Sequence, residues 1–122
     1  MKRWCAILML STIALSGACA TRQAQPLASG QYVFRQRYAE HPNMQGAVFD
    51  VKIDGNRIVV SSASEQGPFP KGVIEEGTLE RHARSGEWII VRDPADRQAE
   101  EVGGCSDGPT VVDLKDRVYW TC

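Results

Sequence analysis

Between Gln31 and Cys122 the apolar residues recur mostly at every second position, in short runs separated by turn residues, and this alternation excludes most folds. A period of two places successive side chains on opposite sides of an extended chain, so such runs bury one face of a sheet and no face of a helix. Phe49, Val51 and Ile53 alternate with Asp50 and Lys52, then Asp54-Gly55 turns the chain, and Ile58 and Val60 return. Asp-Gly suits a type I′ turn, in which both central positions need positive φ, and that turn sets Val51 against Ile58 and Phe49 against Val60. Tyr32–Arg37 forms an earlier strand, and Gly72–Ala83 a later one bent or bulged at Gly77. Trp88-Ile-Ile-Val91, apolar on both faces, reads as central in the sheet. Val111–Leu114 and Arg117–Thr121 make a last hairpin whose loop of two or three residues decides whether Tyr119 or Trp120 turns inward. One helical signal interrupts this pattern: Asp93 caps, Pro94 begins, Asp96 follows at the third position, and Gly103-Gly104 terminates. The expectation is an all-β domain, a small antiparallel barrel or sandwich of about six or seven strands with one short helix of about two turns. Its core holds Tyr32, Phe34, Phe49, Trp88 and Ile90.

The chain is 122 residues long, but its start belongs to no such sheet. Lys2 and Arg3 precede a twelve-residue apolar run, Trp4–Leu15, followed by the small residues of Ser16–Ala20. A bilayer span needs about twenty apolar residues, so the run reads as the hydrophobic centre of a signal peptide. Residues 1–18 are then the leader, 19–29 a polar, small-residue tether, and 30–122 one domain. Loss of the leader turns 14 basic and 15 acidic side chains into 12 and 15, a charge of about −3. A mildly acidic chain without a basic stripe gives no purchase on nucleic acid.

The segment Leu15-Ser-Gly-Ala-Cys19 resembles the lipobox of bacterial lipoproteins, with Leu15 four residues before the cysteine and Ser16 at the third. The resemblance covers the first nineteen residues and implies that the Cys19 sulfur receives a diacylglyceryl group and becomes the N-terminus. It also implies a lipid-anchored protein of the bacterial envelope facing the periplasm, at the outer membrane rather than the inner. Ala18-Cys19-Ala20 offers ordinary signal peptidase an alternative cut, which would release a soluble periplasmic or secreted protein. Either route removes Cys5 and leaves Cys105 and Cys122 as the domain's two cysteines. In an oxidising compartment these form one disulfide, Cys105–Cys122, which staples the last strand.

Chemistry is sparse in the remaining residues. His41 and His82 read as surface or edge residues, and no G-x-S-x-G frame places a serine beside either. Glu75-Glu76 and Glu100-Glu101 are adjacent pairs, and neighbours in a strand point to opposite faces, so they read as a solvated exterior. No metal-ligand spacing, phosphate cradle or cofactor motif is present. The irregular connection 61–71 holds Phe69 between Pro68 and Pro70, with Glu65 and Lys71 nearby. It is read as a partner-binding loop, and the alternative is that Phe69 folds back as a lid. The expected function is a non-enzymatic binding module for a protein partner in the envelope, such as an inhibitor or immunity protein against a cell-wall hydrolase. Two alternatives remain: a carrier of a small apolar ligand inside a barrel, or a wall-acting hydrolase that uses the acidic residues. Changing Cys19→Ser separates the two processing routes: incorporation of labelled palmitate is abolished and the product turns soluble, whereas an unlabelled wild type would reject acylation.

Overall fold

The computed structural model describes residues 23–122; the leader, the lipobox-like segment and Cys19 lie outside them. Seven strands follow one another around a closed barrel: β1 Gly30–Tyr38, β2 Val48–Asp54, β3 Arg57–Ser62, β4 Gly72–Arg81, β5 Trp88–Val91, β6 Val111–Asp113 and β7 Val118–Thr121. Each pairs antiparallel with the next, and β1 closes the ring by pairing parallel with β7, Arg35 opposite Val118 and Tyr38 opposite Thr121. The parallel seam is a consequence of number. In an antiparallel meander odd strands run one way, so the first and seventh must run together.

The alternating residues line the interior. Phe34, Phe49, Val51, Ile58, Val60, Leu79 and Ile90 are wholly buried, and Ile53, Val112, Leu114 and Tyr119 complete the cluster. Tyr32 and Trp88 are half-buried and pack against it. An eight-stranded barrel is just wide enough to be filled by its side chains, and seven strands enclose less.

The β2–β3 register differs from the expected one. Ile53 pairs with Ile58 and Val51 with Val60, so the loop is Gly55-Asn56, flanked by Asp54 and Arg57. Gly55 takes φ +59° at the first central position while Asn56 keeps negative φ, the pattern of a type II′ turn rather than I′. Each residue has exchanged its cross-strand partner for one two places along. An even shift preserves the faces, so the same residues point inward.

The bend expected at Gly77 is displaced as well. β4 runs unbroken through Gly77, opposite Ile58, and the irregularity lies between Val60–Glu75 and Ser61–Val73, where Ile74 is the extra residue. Gly77 is required for a different reason: a Cβ there would lie 2.4 Å from the Val91 carbonyl oxygen. Glycine thus sets how closely β4 and β5 approach.

The last hairpin has a four-residue loop, Leu114–Arg117, because Asp113 pairs with Val118 and Val112 with Tyr119. Asp113 accepts hydrogen bonds from the Lys115 and Asp116 amides at 2.9 and 2.8 Å, and Arg117 takes φ 56°. Tyr119 consequently turns inward and Trp120 outward.

The apolar outer face of β5 is covered by the connection 92–110. Ile89, Val91 and Val111 form a second cluster with Val102 and Trp120 packed on it. The helical signal is realised as a five-residue 3₁₀ helix, Pro94–Gln98, with Asp93 and Asp96 forming a capping box. It stops at Ala99, before Gly103-Gly104 and short of the two turns expected. The disulfide Cys105–Cys122 ties this connection to the end of β7, with Cα atoms 4.5 Å apart.

Both barrel ends are closed. At one, the residues expected to belong to a loose tether are docked from Gln25 on. Gln25 donates to the Gly55 carbonyl at 2.9 Å and to the Leu27 carbonyl, Leu27 packs against the core, and Ser29 accepts from the Gly55 amide. At the other, Phe69 meets Phe49 edge-on, ring centres 5.0 Å apart, while Tyr119 meets Phe49 at 5.4 Å. Phe69→Ala therefore acts on stability: a loss of about 2–3 kcal/mol is expected, read from the urea midpoint at unchanged slope. A stability unchanged by that substitution would remove the lid.

Candidate functional site

The connection read as a partner loop, expected over 61–71, spans residues 63–71 between β3 and β4. Gln66 and Phe69 exchange both backbone hydrogen bonds, at 2.9 and 3.0 Å, around Gly67-Pro68, and Gly67 supplies positive φ. The Gln66 side chain acts as a substitute strand: its amide oxygen accepts from the Val48 N–H at 2.9 Å, and its NH₂ donates to the Val48 carbonyl at 2.8 Å and to the Ser62 hydroxyl at 2.7 Å. This clamp presses the loop against the barrel mouth and directs Phe69 onto Phe49. Of the three residues proposed for binding, Glu65 and Lys71 are exposed, whereas Phe69 is half-buried and packs against the core. Gln66, which makes this geometry, carries no local signal in the sequence.

Glu75 and Glu76 part to opposite faces of β4, so the solvated exterior expected of the pair holds for Glu76 and fails for Glu75, which is buried. Glu75 enters the barrel, where its Oε1 accepts the Tyr119 hydroxyl at 3.0 Å and its Oε2 lies 3.7 Å from the exposed Arg92 guanidinium. Glu76 faces out and pairs with Arg57 at 3.6 Å. Burial, reinforced by the charge and hydrogen bond of Glu75, pushes the Tyr119 phenol well above its usual value. The pair places a carboxylate inside a hydrophobic barrel with a donor on one oxygen and a cation near the other, so its burial is compensated.

His82 is buried, against the expectation of a surface position, because the 92–110 connection passes over it. Its Nε2 lies 2.8 Å from the Ala99 carbonyl, which can only accept, so Nε2 carries the proton. Nδ1 then accepts from the Ser85 amide at 3.2 Å and the Ser85 hydroxyl at 2.8 Å. A serine beside a histidine suggests nucleophilic chemistry, yet the far nitrogen faces a carbonyl where the known triads place a carboxylate. The arrangement fastens the β4–β5 turn to the end of the 3₁₀ helix. His41 stands apart and exposed in the β1–β2 connection. Among the described residues no group of three or more His, Cys, Asp or Glu is placed to hold a metal ion.

Among the described residues several grooves mark the exterior, and two of them lie along the barrel wall. One, of about 410 Å³, is lined by Arg57, Glu76, Arg92, Asp93 and Arg97; Arg57 and Arg92 reach Glu76 and Glu75, and Arg97 donates to Glu80 at 2.8 and 3.0 Å. The other, of about 280 Å³, is lined by Pro26, Glu87, Trp88, Asp113, Lys115 and Trp120. No known protein family, curated protein or solved structure matches the chain.

The Tyr119–Glu75 contact has a pH signature. A phenol held above its unfolded value near 10 contributes stability that is complete below pH 10 and lost as pH rises toward the folded value. Wild-type stability should therefore fall above about pH 10, and Tyr119→Phe should remove that component. An identical alkaline decline in both proteins would show that Tyr119 does not carry it.

Proposed function

We propose that the protein is a non-enzymatic binding module of the bacterial envelope, held to a membrane through acylated Cys19 and meeting a protein partner with its acidic exterior. The observation that carries this reading is the filled interior. Phe34 and Phe49 are wholly buried, Phe69 covers one mouth, and Gln25 and Leu27 cover the other, so a carrier's hollow has no room and recognition falls to the outside. The lipobox-like segment supports the anchor. A bridge-stapled, anionic body suits a cationic partner, and cell-wall hydrolases, whose substrate is polyanionic, belong to that class.

Glu65 lies in the lid-end connection, and Glu100 and Glu101 in the connection 92–110; all three are exposed. The mature chain should inhibit at least one of a panel of cationic wall hydrolases in a wall-lysis assay. Glu65→Lys combined with Glu100→Lys and Glu101→Lys should weaken that inhibition by about tenfold or more at low salt, since facing like charges cost several kcal/mol at an interface. Uninhibited lysis across the panel would reject the hydrolase-inhibitor reading. Equal inhibition by the charge-reversed chain would reject the acidic face.

A further inference from the structure

We propose that Asp54-Gly55 is a site of covalent self-modification, in which the Gly55 amide nitrogen closes on the Asp54 carboxyl group, and that the N-terminal arm gates this reaction and is released by its product, isoaspartate.

The chain holds two Asp-Gly pairs, Asp54-Gly55 and Asp107-Gly108, and the same chemistry is open to both. The glycine backbone nitrogen attacks Cγ of the preceding aspartic acid, a nitrogen–carbon bond forms, and the carboxyl hydroxyl and the amide proton leave as one water. Solvent water then opens the succinimide ring at either carbonyl. Opening on one side restores aspartate. Opening on the other leaves isoaspartate, whose main chain runs through the side chain and is one carbon longer. Glycine favours the reaction because no Cβ obstructs its nitrogen or restricts its backbone.

The fold separates the two pairs. A Cβ on Gly108 would collide with the Glu101 carbonyl oxygen, so the backbone there is packed against a neighbouring segment. Around it the Gly103 amide donates to the Pro109 carbonyl at 2.8 Å, the Ser106 hydroxyl donates to the Gly103 carbonyl at 2.7 Å, and Cys105 is bonded to Cys122. The 107–108 peptide has no room to turn. Gly55 is the opposite case: it is exposed, and nothing lies within 4 Å of the place a Cβ would take. Among the described residues, the exposed Asp54 carboxylate has no hydrogen-bond or ion-pair partner to hold it away from the next amide.

The arm supplies the restraint. The Gly55 N–H, whose nitrogen is the nucleophile, donates to the Ser29 hydroxyl at 2.9 Å. The Gly55 carbonyl accepts from the Gln25 side chain at 2.9 Å, and the Asn56 Oδ1 accepts from the Gln25 amide at 3.5 Å. The bond to Ser29 fixes the plane of the 54–55 peptide, which must rotate before its nitrogen meets Cγ, so ring closure waits on local release of the arm. Release also follows from closure. One extra backbone carbon ahead of the two-residue loop that joins Asp54 to Arg57 displaces Gly55 from Ser29 and Gln25 together. Leu27, which packs on the core at this end, leaves with them.

The mature chain, its disulfide intact, is kept for weeks at neutral pH and growth temperature and mapped by electron-transfer fragmentation, which distinguishes isoaspartate from aspartate. Isoaspartate should accumulate at 54 ahead of 107. Ser29→Ala should speed it about two- to tenfold at 54 alone, the population change that loss of one hydrogen bond produces. Asp54→Glu, whose longer side chain would have to close a six-membered ring, should abolish modification there. In urea, with the disulfide reduced, the two pairs should react at similar rates. Hydrogen exchange on the separated modified chain should find the arm amides, Leu27 among them, unprotected while β3 and β4 keep their protection. Isoaspartate at 107 as early as at 54, a rate unmoved by Ser29→Ala, or a difference between the pairs that persists in urea would overturn the gated site. A modified chain whose arm stays protected would overturn the release.

Discussion

Closure of seven short strands into one ring is the constraint on which the rest of this structure depends. It forces β1 to serve two neighbours, antiparallel β2 along its first half and parallel β7 along its second, and it removes every free sheet edge. It also fixes the volume inside. A ring this narrow is filled by its own side chains, so Phe49 is enclosed by Phe69 and Tyr119, and ligand-sized space occurs on the exterior. The disulfide acts on the same constraint: Cys122 follows β7, the strand whose fraying would open the parallel seam.

Closure leaves polar groups in awkward places, and three glutamines answer them. Gln36 is buried at the β1–β7 seam, where its Nε2 donates to the Thr121 hydroxyl at 2.6 Å and its Oε1 accepts from the Ala47 amide at 2.9 Å. Gln66 substitutes for a missing strand beside Val48, and Gln25 does the same work at the Gly55 turn. Each side chain carries a donor and an acceptor at one tip, so it can satisfy backbone groups that the ladder leaves open. Among the described residues, no buried side-chain nitrogen or oxygen lacks a partner.

Charge of both signs is interspersed over the exterior, with Arg57 beside Glu76 and Arg97 beside Glu80. Salt bridges such as Arg57–Glu76, exposed on both sides, add little to stability, so the distribution of charge bears on orientation and encounter more than on folding.

The sequence by itself determined the fold class, the inward faces of β1, β2 and β3, the cap at Asp93 and the pairing of Cys105 with Cys122. Alternation is a local property with a period of two, and two cysteines in one oxidising compartment leave one partner each. The candidate site was less legible: the exposure of Glu65 and Lys71 followed from their polarity, while the inward turn of Phe69 was one of two readings, lid or anchor, between which its place among prolines did not choose. Only the tertiary structure decided the β2–β3 register, because a slip of two residues keeps every face and leaves no trace in the pattern, and the length of the last loop, which turns Tyr119 rather than Trp120 inward. Likewise it alone decided that Tyr119 meets Glu75, that Gln66 steers Phe69, and that Pro26, Trp88 and Trp120 share a groove. These contacts join residues far apart in the chain, and what brings them together is the stagger of strands around a closed ring, which no local run of residues encodes.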